Sequence, residues 1–151
     1  MIPDDDTATP GGVSAPPDAR RVALATLALA LGGFGIGVTE FAAMGLLPDI
    51  AADLQVTEPV AGHVISAYAL GVVVGAPLIA AAFARVPRRV LLIALMIAFT
   101  VGNALSVFAP TYGTLMAARF VAGLPHGAFF GVAALVAAHL AGPAERGRAV
   151  G

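Results

Sequence analysis

The chain has 151 residues, 59% hydrophobic and 11% charged, with a formal net charge of -1 and a mean hydropathy of +0.92. So little charge cannot cover a water-soluble surface, and the composition is that of a polytopic membrane protein. The absence of Cys excludes disulfides and thiolate metal sites. Eight Arg without any Lys build no continuous basic surface, which excludes nucleic acid as a partner.

Residues 1 to 19 are the polar exception. Asp4, Asp5, Asp6 and Asp18 alternate there with Pro3, Pro10, Pro16 and Pro17. Little apolar area offsets the entropy of ordering such a segment, so a short disordered cytoplasmic tail is expected. Arg20 and Arg21 then precede a long apolar run. The small-residue triplet Ala28-Leu29-Ala30 resembles a signal-peptide cleavage site, but the run continues well beyond it and three more follow. Arg20 and Arg21 therefore read as a cytoplasmic anchor.

Four membrane spans are predicted, at about residues 22–47, 60–84, 90–109 and 112–140. The first ends at Pro48 and the second opens after Glu58-Pro59. No charge interrupts Val90 to Ala118, a stretch too long for one ordinary span, and Ala109-Pro110-Thr111-Tyr112-Gly113 supplies the turn that divides it. Backbone groups in lipid must be satisfied within the segment, so the spans are helices and the fold class is an all-α polytopic membrane protein.

Arg20 and Arg21 precede span one, Arg85, Arg88 and Arg89 lie between spans two and three, and Arg146 and Arg148 follow span four. The loop after span one carries Asp49, Asp53 and Glu58 and no basic residue. Seven of the eight Arg thus share one side, which the positive-inside rule makes cytoplasmic, along with both chain ends.

Two charges remain inside the spans: Glu40 in the first and Arg119 in the fourth. A charge at membrane depth is costly and ordinarily faces a cavity or a partner. Glu40 precedes Pro48 by eight positions and Arg119 follows Thr111 by eight. At ~1.5 Å rise per residue both sit ~12 Å below the outer boundary. Facing each other or a shared aqueous cavity would spare two isolated charges in lipid. Glu40 is then the candidate binder of a proton or cationic substrate, with Arg119 controlling its charge state. The alternative is a fixed ion pair locking spans one and four.

Gly123, Gly127 and Gly131 repeat every four residues on one face of span four. Gly33 and Gly37 do so in span one, and Gly71 and Gly75 in span two. Such faces let helix backbones approach closely. Pro125 removes a backbone donor beside these glycines and is expected to bend span four. His126 follows Arg119 by seven positions and falls near the same face, lining a route for protons or packing as a bonded histidine. Asn103 in span three lines a polar cavity or bonds between helices. His63 and His139 lie near span ends. No His, Asp and Glu cluster has metal-ligand spacing, no nucleophile and base combine, and Gly32 to Gly37 lies inside an apolar span, not after a soluble strand. Neither a metal, a cofactor nor an enzymatic reaction is expected.

Three strings are more specific: GVTEFAAMGLLPDIA at Gly37 to Ala51, SAYALGVVVGAP at Ser66 to Pro77, and ARFVAGLPHGAFFGVAA at Ala118 to Ala134. On these the chain resembles the major facilitator superfamily, specifically its drug and sugar efflux proton antiporters of the arabinose-efflux and chloramphenicol-resistance type. Ala80 to Leu92 is similar to the cytoplasmic signature between helices two and three. Arg85, Arg88 and Arg89 match its basic positions, whereas Ala84 stands where that signature carries Asp, and Ala80 and Pro87 replace its Gly residues.

The resemblance implies proton coupling at Arg119, with Gly123 and Gly127 beside it. For Glu40 it implies the helix-one acidic position that recognises proton or substrate. It also implies two six-helix bundles that rock for alternating access. Four spans then form part of the N-terminal bundle, and the chain is expected to be the opening portion of a longer transporter. Its partners would be a proton, a small organic substrate, the lipid bilayer and the remainder of the transporter or another membrane segment. Two other readings are a non-transporting membrane assembly or regulatory fragment, and a four-span transporter acting as an oligomer.

Overall fold

A computed structural model describes residues 18–141. The expected tail falls mainly on residues 1–17, outside the described residues, as do Arg146 and Arg148. Six helices follow in order: α1 (Ala19–Gly45), α2 (Leu47–Asp53), α3 (Glu58–Ala61), α4 (His63–Ala82), α5 (Arg88–Val107) and α6 (Tyr112–Ala141). No strand occurs among the described residues. Four stretches are long and apolar enough to cross a membrane: Ala19–Gly45, Glu58–Ala82, Arg88–Val107 and Tyr112–Leu140. The chain is an all-α, multi-pass membrane protein.

The helix ends follow from capping chemistry that a hydropathy pattern does not register. Helix α1 begins before the expected Val22 because the Asp18 carboxylate accepts from the Arg20 backbone N–H at 3.1 Å. It stops at Leu46, and Pro48 lies in the first turn of α2, where its missing N–H costs nothing. The loop between spans one and two is therefore largely helical. Gln55 takes the left-handed conformation (φ 55°) that reverses the chain between α2 and α3. Helix α5 starts at Arg88, with both Arg88 and Arg89 inside its first turn.

Thr111 and Thr114 cap α6 reciprocally, each hydroxyl accepting from the other's backbone N–H at 3.2 and 3.0 Å. At the same end Tyr112 donates to the Val60 carbonyl at 2.9 Å and its oxygen lies 3.2 Å from His63 Nδ1, tying α6 to α3 and α4. Within the spans, Thr100, Asn103 and Ser106 return hydrogen bonds to carbonyls four residues earlier, so these groups meet no bare hydrocarbon.

Helix α6 is the centre of the packing, held most extensively by α4 and next by α5, while α1 touches it sparsely. Val64, Tyr68, Gly71 and Gly75 form the buried stripe of α4, and Leu91, Leu95, Phe99 and Gly102 that of α5. Only Ile36 of α1 is buried. Large apolar side chains such as Phe34, Phe41, Val73, Ile97 and Phe108 point outward, as a lipid-facing surface requires.

The α4–α6 seam depends on missing side chains. A Cβ at Gly75 would lie 2.5 Å from Leu124 Cα, and one at Gly71 would meet the Phe120 carbonyl and lie 3.1 Å from Gly123 Cα. Gly123 in turn abuts the Tyr68 carbonyl, and a Cβ at Gly127 would lie 2.8 Å from the Val72 carbonyl. The expected four-residue rhythm stops there. Gly131 is exposed and nothing lies within 4 Å of its missing Cβ, so among the described residues it packs against no helix. The corresponding pair in α1 divides likewise, with Gly33 against the Phe130 ring and Gly37 in open space. Pro125 is buried, and α6 runs through it without interruption.

Candidate functional site

Arg119 projects from the buried face of α6 and is 6% exposed. Its guanidinium carbon lies 4.3 Å from the centroid of the Tyr68 ring, contributed by the buried stripe of α4. From α5, Asn103 Oδ1 accepts from Arg119 Nη1 at 3.4 Å. That is long for a bond from a charged donor, which ordinarily falls near ~2.8 Å. The Asn103 amide is turned this way because its Nδ2 donates to the Phe99 carbonyl at 2.9 Å. Arg119 Nε is buried with no hydrogen-bond partner among the described residues. A buried cation is thus held by an aromatic face and one weak bond, with a donor left over. Such a group binds strongly to any acceptor that reaches it.

The second half of the cluster is aromatic. Tyr68 Oη lies 2.8 Å from His126 Nδ1, and the two rings are tilted with centroids 5.6 Å apart. Phe130 stands 5.2 Å beyond His126. Arg119 and His126, seven positions apart on α6, therefore share a face as their spacing implies, and both reach the same phenol. Tyr68 was not among the residues singled out from the sequence. A signal for it exists: Gly71 and Gly75, three and seven positions later, share its helix face, so the residue on that stripe had to meet α6.

Glu40 is half-buried on α1. The polar partner of Arg119 is Asn103, not Glu40, so the direct pairing considered from the sequence is not formed here. Glu40 itself is not among the residues that line the cavity beside Arg119. Thr39, Ala42 and Ala43 of α1 line one cavity of about 390 Å³ with Asn103, Ser106 and Arg119, and Asp53 of α2 borders it toward the acidic loop. Helix α1 packs only sparsely on α6.

The remaining candidates sit elsewhere. Arg85, Arg88 and Arg89 are exposed at the α4–α5 turn. Arg89 stands at the rim of an apolar groove of about 720 Å³ between α1 and α5, with Met96 and Phe129 in its walls. His139 is exposed near the end of α6. Among the described residues no three His, Asp or Glu side chains converge as metal ligands.

Comparison with known proteins agrees with this architecture. Residues 29–151 match the family model of the Major Facilitator Superfamily. The chain is 57% identical over 112 residues to the inner membrane transport protein YdhP of Escherichia coli, covering 74% of this chain and 29% of that one. It is 41% identical over 122 residues to a chloramphenicol resistance protein of Streptomyces lividans, covering 81% and 31%. Identity to a chloramphenicol efflux pump of Mycobacterium tuberculosis is 32% over 143 residues, covering 93% and 35%. The chain thus spans about a third of the length of these relatives. No solved structure matches it. Four apolar helices and a family match running from within the first of them across the other three make this chain a member of the major facilitator superfamily.

Proposed function

We propose that the transporter represented by this segment exports a small organic solute, a drug or sugar, in exchange for protons moving inward. Glu40 takes up and releases the proton or meets a cationic cargo, and Arg119 sets the charge state of that carboxylate. The observation that carries this reading is the loose hold on Arg119: a buried Nε without a partner among the described residues and a long bond to Asn103. An ionised carboxylate draws such a cation toward α1, and a protonated one releases it. The efflux named for the Mycobacterium relative supports outward transport. Placing the Arg-rich ends inside, by the positive-inside rule, puts the chain in the cell membrane with both termini cytoplasmic and opens the Arg119 cavity toward the outer face.

Glu40→Gln in the intact transporter tests the reading. Proton-driven efflux into or out of proteoliposomes is expected to fall about tenfold or more, the equivalent of one lost interaction of ~1.4 kcal/mol. Unchanged proton-linked flux and substrate range would remove Glu40 from the mechanism. Stable association at native length without any flux would instead favour a non-transporting membrane assembly.

A further inference from the structure

We propose that Tyr68 is a positioning residue that makes the seat of Arg119 depend on whether His126 carries a proton. The inference rests on the reading that Arg119 serves proton coupling, and it adds the route by which a proton is felt there. Tyr68 is 2% exposed, so neither its hydroxyl nor its ring has water as an alternative partner. Its hydroxyl meets His126 Nδ1 at 2.8 Å and its ring meets the Arg119 guanidinium at 4.3 Å. One phenol therefore carries the contact of both groups.

With His126 neutral and Nδ1 bare, the phenol donates its proton to that nitrogen. Donation leaves more electron density on the oxygen and the ring, and an electron-rich face holds a guanidinium more firmly. When His126 takes a proton from water, Nδ1–H becomes the donor and the phenol oxygen the acceptor. Three consequences share one sign. Density is drawn out of the ring, the hydroxyl proton loses its acceptor inside a dry site, and a second cation stands across the ring from the first.

Arg119 is then less well held by Tyr68. Its other partners are the Asn103 oxygen and whatever acceptor reaches its free Nε. The groups facing this cluster are few. Helix α1 carries one acidic residue, Glu40, which is half-buried. Helix α5 contributes Asn103, which is uncharged, and α6 adds Phe130 beside His126. On the proposed function, an ionised Glu40 would be the destination of the loosened Arg119. No covalent bond changes except that His126 gains a proton from water and later returns it.

The chain contains two Tyr and no Trp, so a Tyr112→Phe background leaves Tyr68 as the sole tyrosine reporter. The chain is reconstituted in lipid nanodiscs, and three signals are followed from about pH 5 to 8, the range in which imidazoles titrate. They are the tyrosine ultraviolet resonance Raman doublet, the imidazole NMR signal of His126 and the guanidinium NMR signal of Arg119. Tyr68 is expected to switch from donor to acceptor at the midpoint of His126, with Arg119 following at the same midpoint. His126→Gln should abolish both responses. Tyr68→Phe keeps the ring and the shape, and should at least halve the Arg119 response while His126 still titrates.

An Arg119 response of full size in Tyr68→Phe would overturn the proposal, leaving only charge acting through space. So would a Tyr68 signal that stays flat while His126 titrates, or a His126 that never titrates in this range. If Tyr68→Phe fails to fold, judged by circular dichroism, the His126→Gln comparison decides alone. None of these signals requires flux, so the outcome is separable from that of Glu40→Gln.

Discussion

Arg119→Lys is expected to reduce proton-driven flux of the intact transporter by about tenfold or more while the four helices remain assembled. Lysine keeps the charge, so a role for charge alone predicts little loss. The site asks for more than charge. The guanidinium lies over the Tyr68 ring at 4.3 Å and simultaneously reaches Asn103 from Nη1. A planar fork can do both, and a single ammonium cannot. Losing a desolvated cation–π contact is worth ~2 kcal/mol, and the Asn103 oxygen loses its donor as well. Proteoliposome flux measures the first effect, and unfolding in mixed lipid–detergent micelles measures the second. A Lys variant at full flux would reduce Arg119 to a point charge. A variant that fails to assemble would make it a structural cation.

Gly75→Val should be the most damaging substitution in the packing. Even one added carbon at Gly75 would stand 2.5 Å from Leu124 Cα, which is backbone and cannot rotate away. The α4 and α6 axes must separate, opening the most extensive interface in the molecule. Overpacking of a close helix contact costs ~1–3 kcal/mol even where side chains yield, so about 3 kcal/mol or more is expected here. Gly131→Val is the control on the same helix type and lipid background. With nothing within 4 Å of its missing Cβ, a change within ~0.5 kcal/mol is expected. Equal unfolding free energies for the two variants would show that the seam tolerates separation and that these glycines do not set it.

Lipid makes spans easy to read from a sequence, because a hydrocarbon layer demands both length and apolarity. It makes their ends harder. Asp18, Arg88 and Arg89 belong to helix starts for reasons of capping and position, yet hydropathy discards them as loop. The site divides in the same way. Glu40, Arg119, Asn103 and His126 stand out as polar residues among apolar ones, and their depth along each helix follows from a fixed rise per residue. Rotation about each helix axis does not. Whether the Glu40 carboxylate faces Arg119 depends on how α1 is turned and how closely it sits, which spacing within one helix cannot reveal. Tyr68 escaped notice for a related reason. Tyrosine is amphipathic and ordinary at membrane boundaries, and only its register with Gly71 and Gly75 marks it as buried at the α6 contact.

The uneven attachment of the first helix sets the mechanics of the whole segment. Parting α4 from α6 would tear apart two backbones in direct touch, whereas shifting α1 disturbs its one buried side chain, Ile36, and the contacts of Gly32 and Gly33 with the Phe129 and Phe130 rings. Among the described residues α4, α5 and α6 thus form a stiff slab with α1 as a compliant strut, and that strut bears Glu40. On the proposed mechanism, a pull between Glu40 and Arg119 would be taken up by displacement of α1, the most weakly attached of the four long helices described.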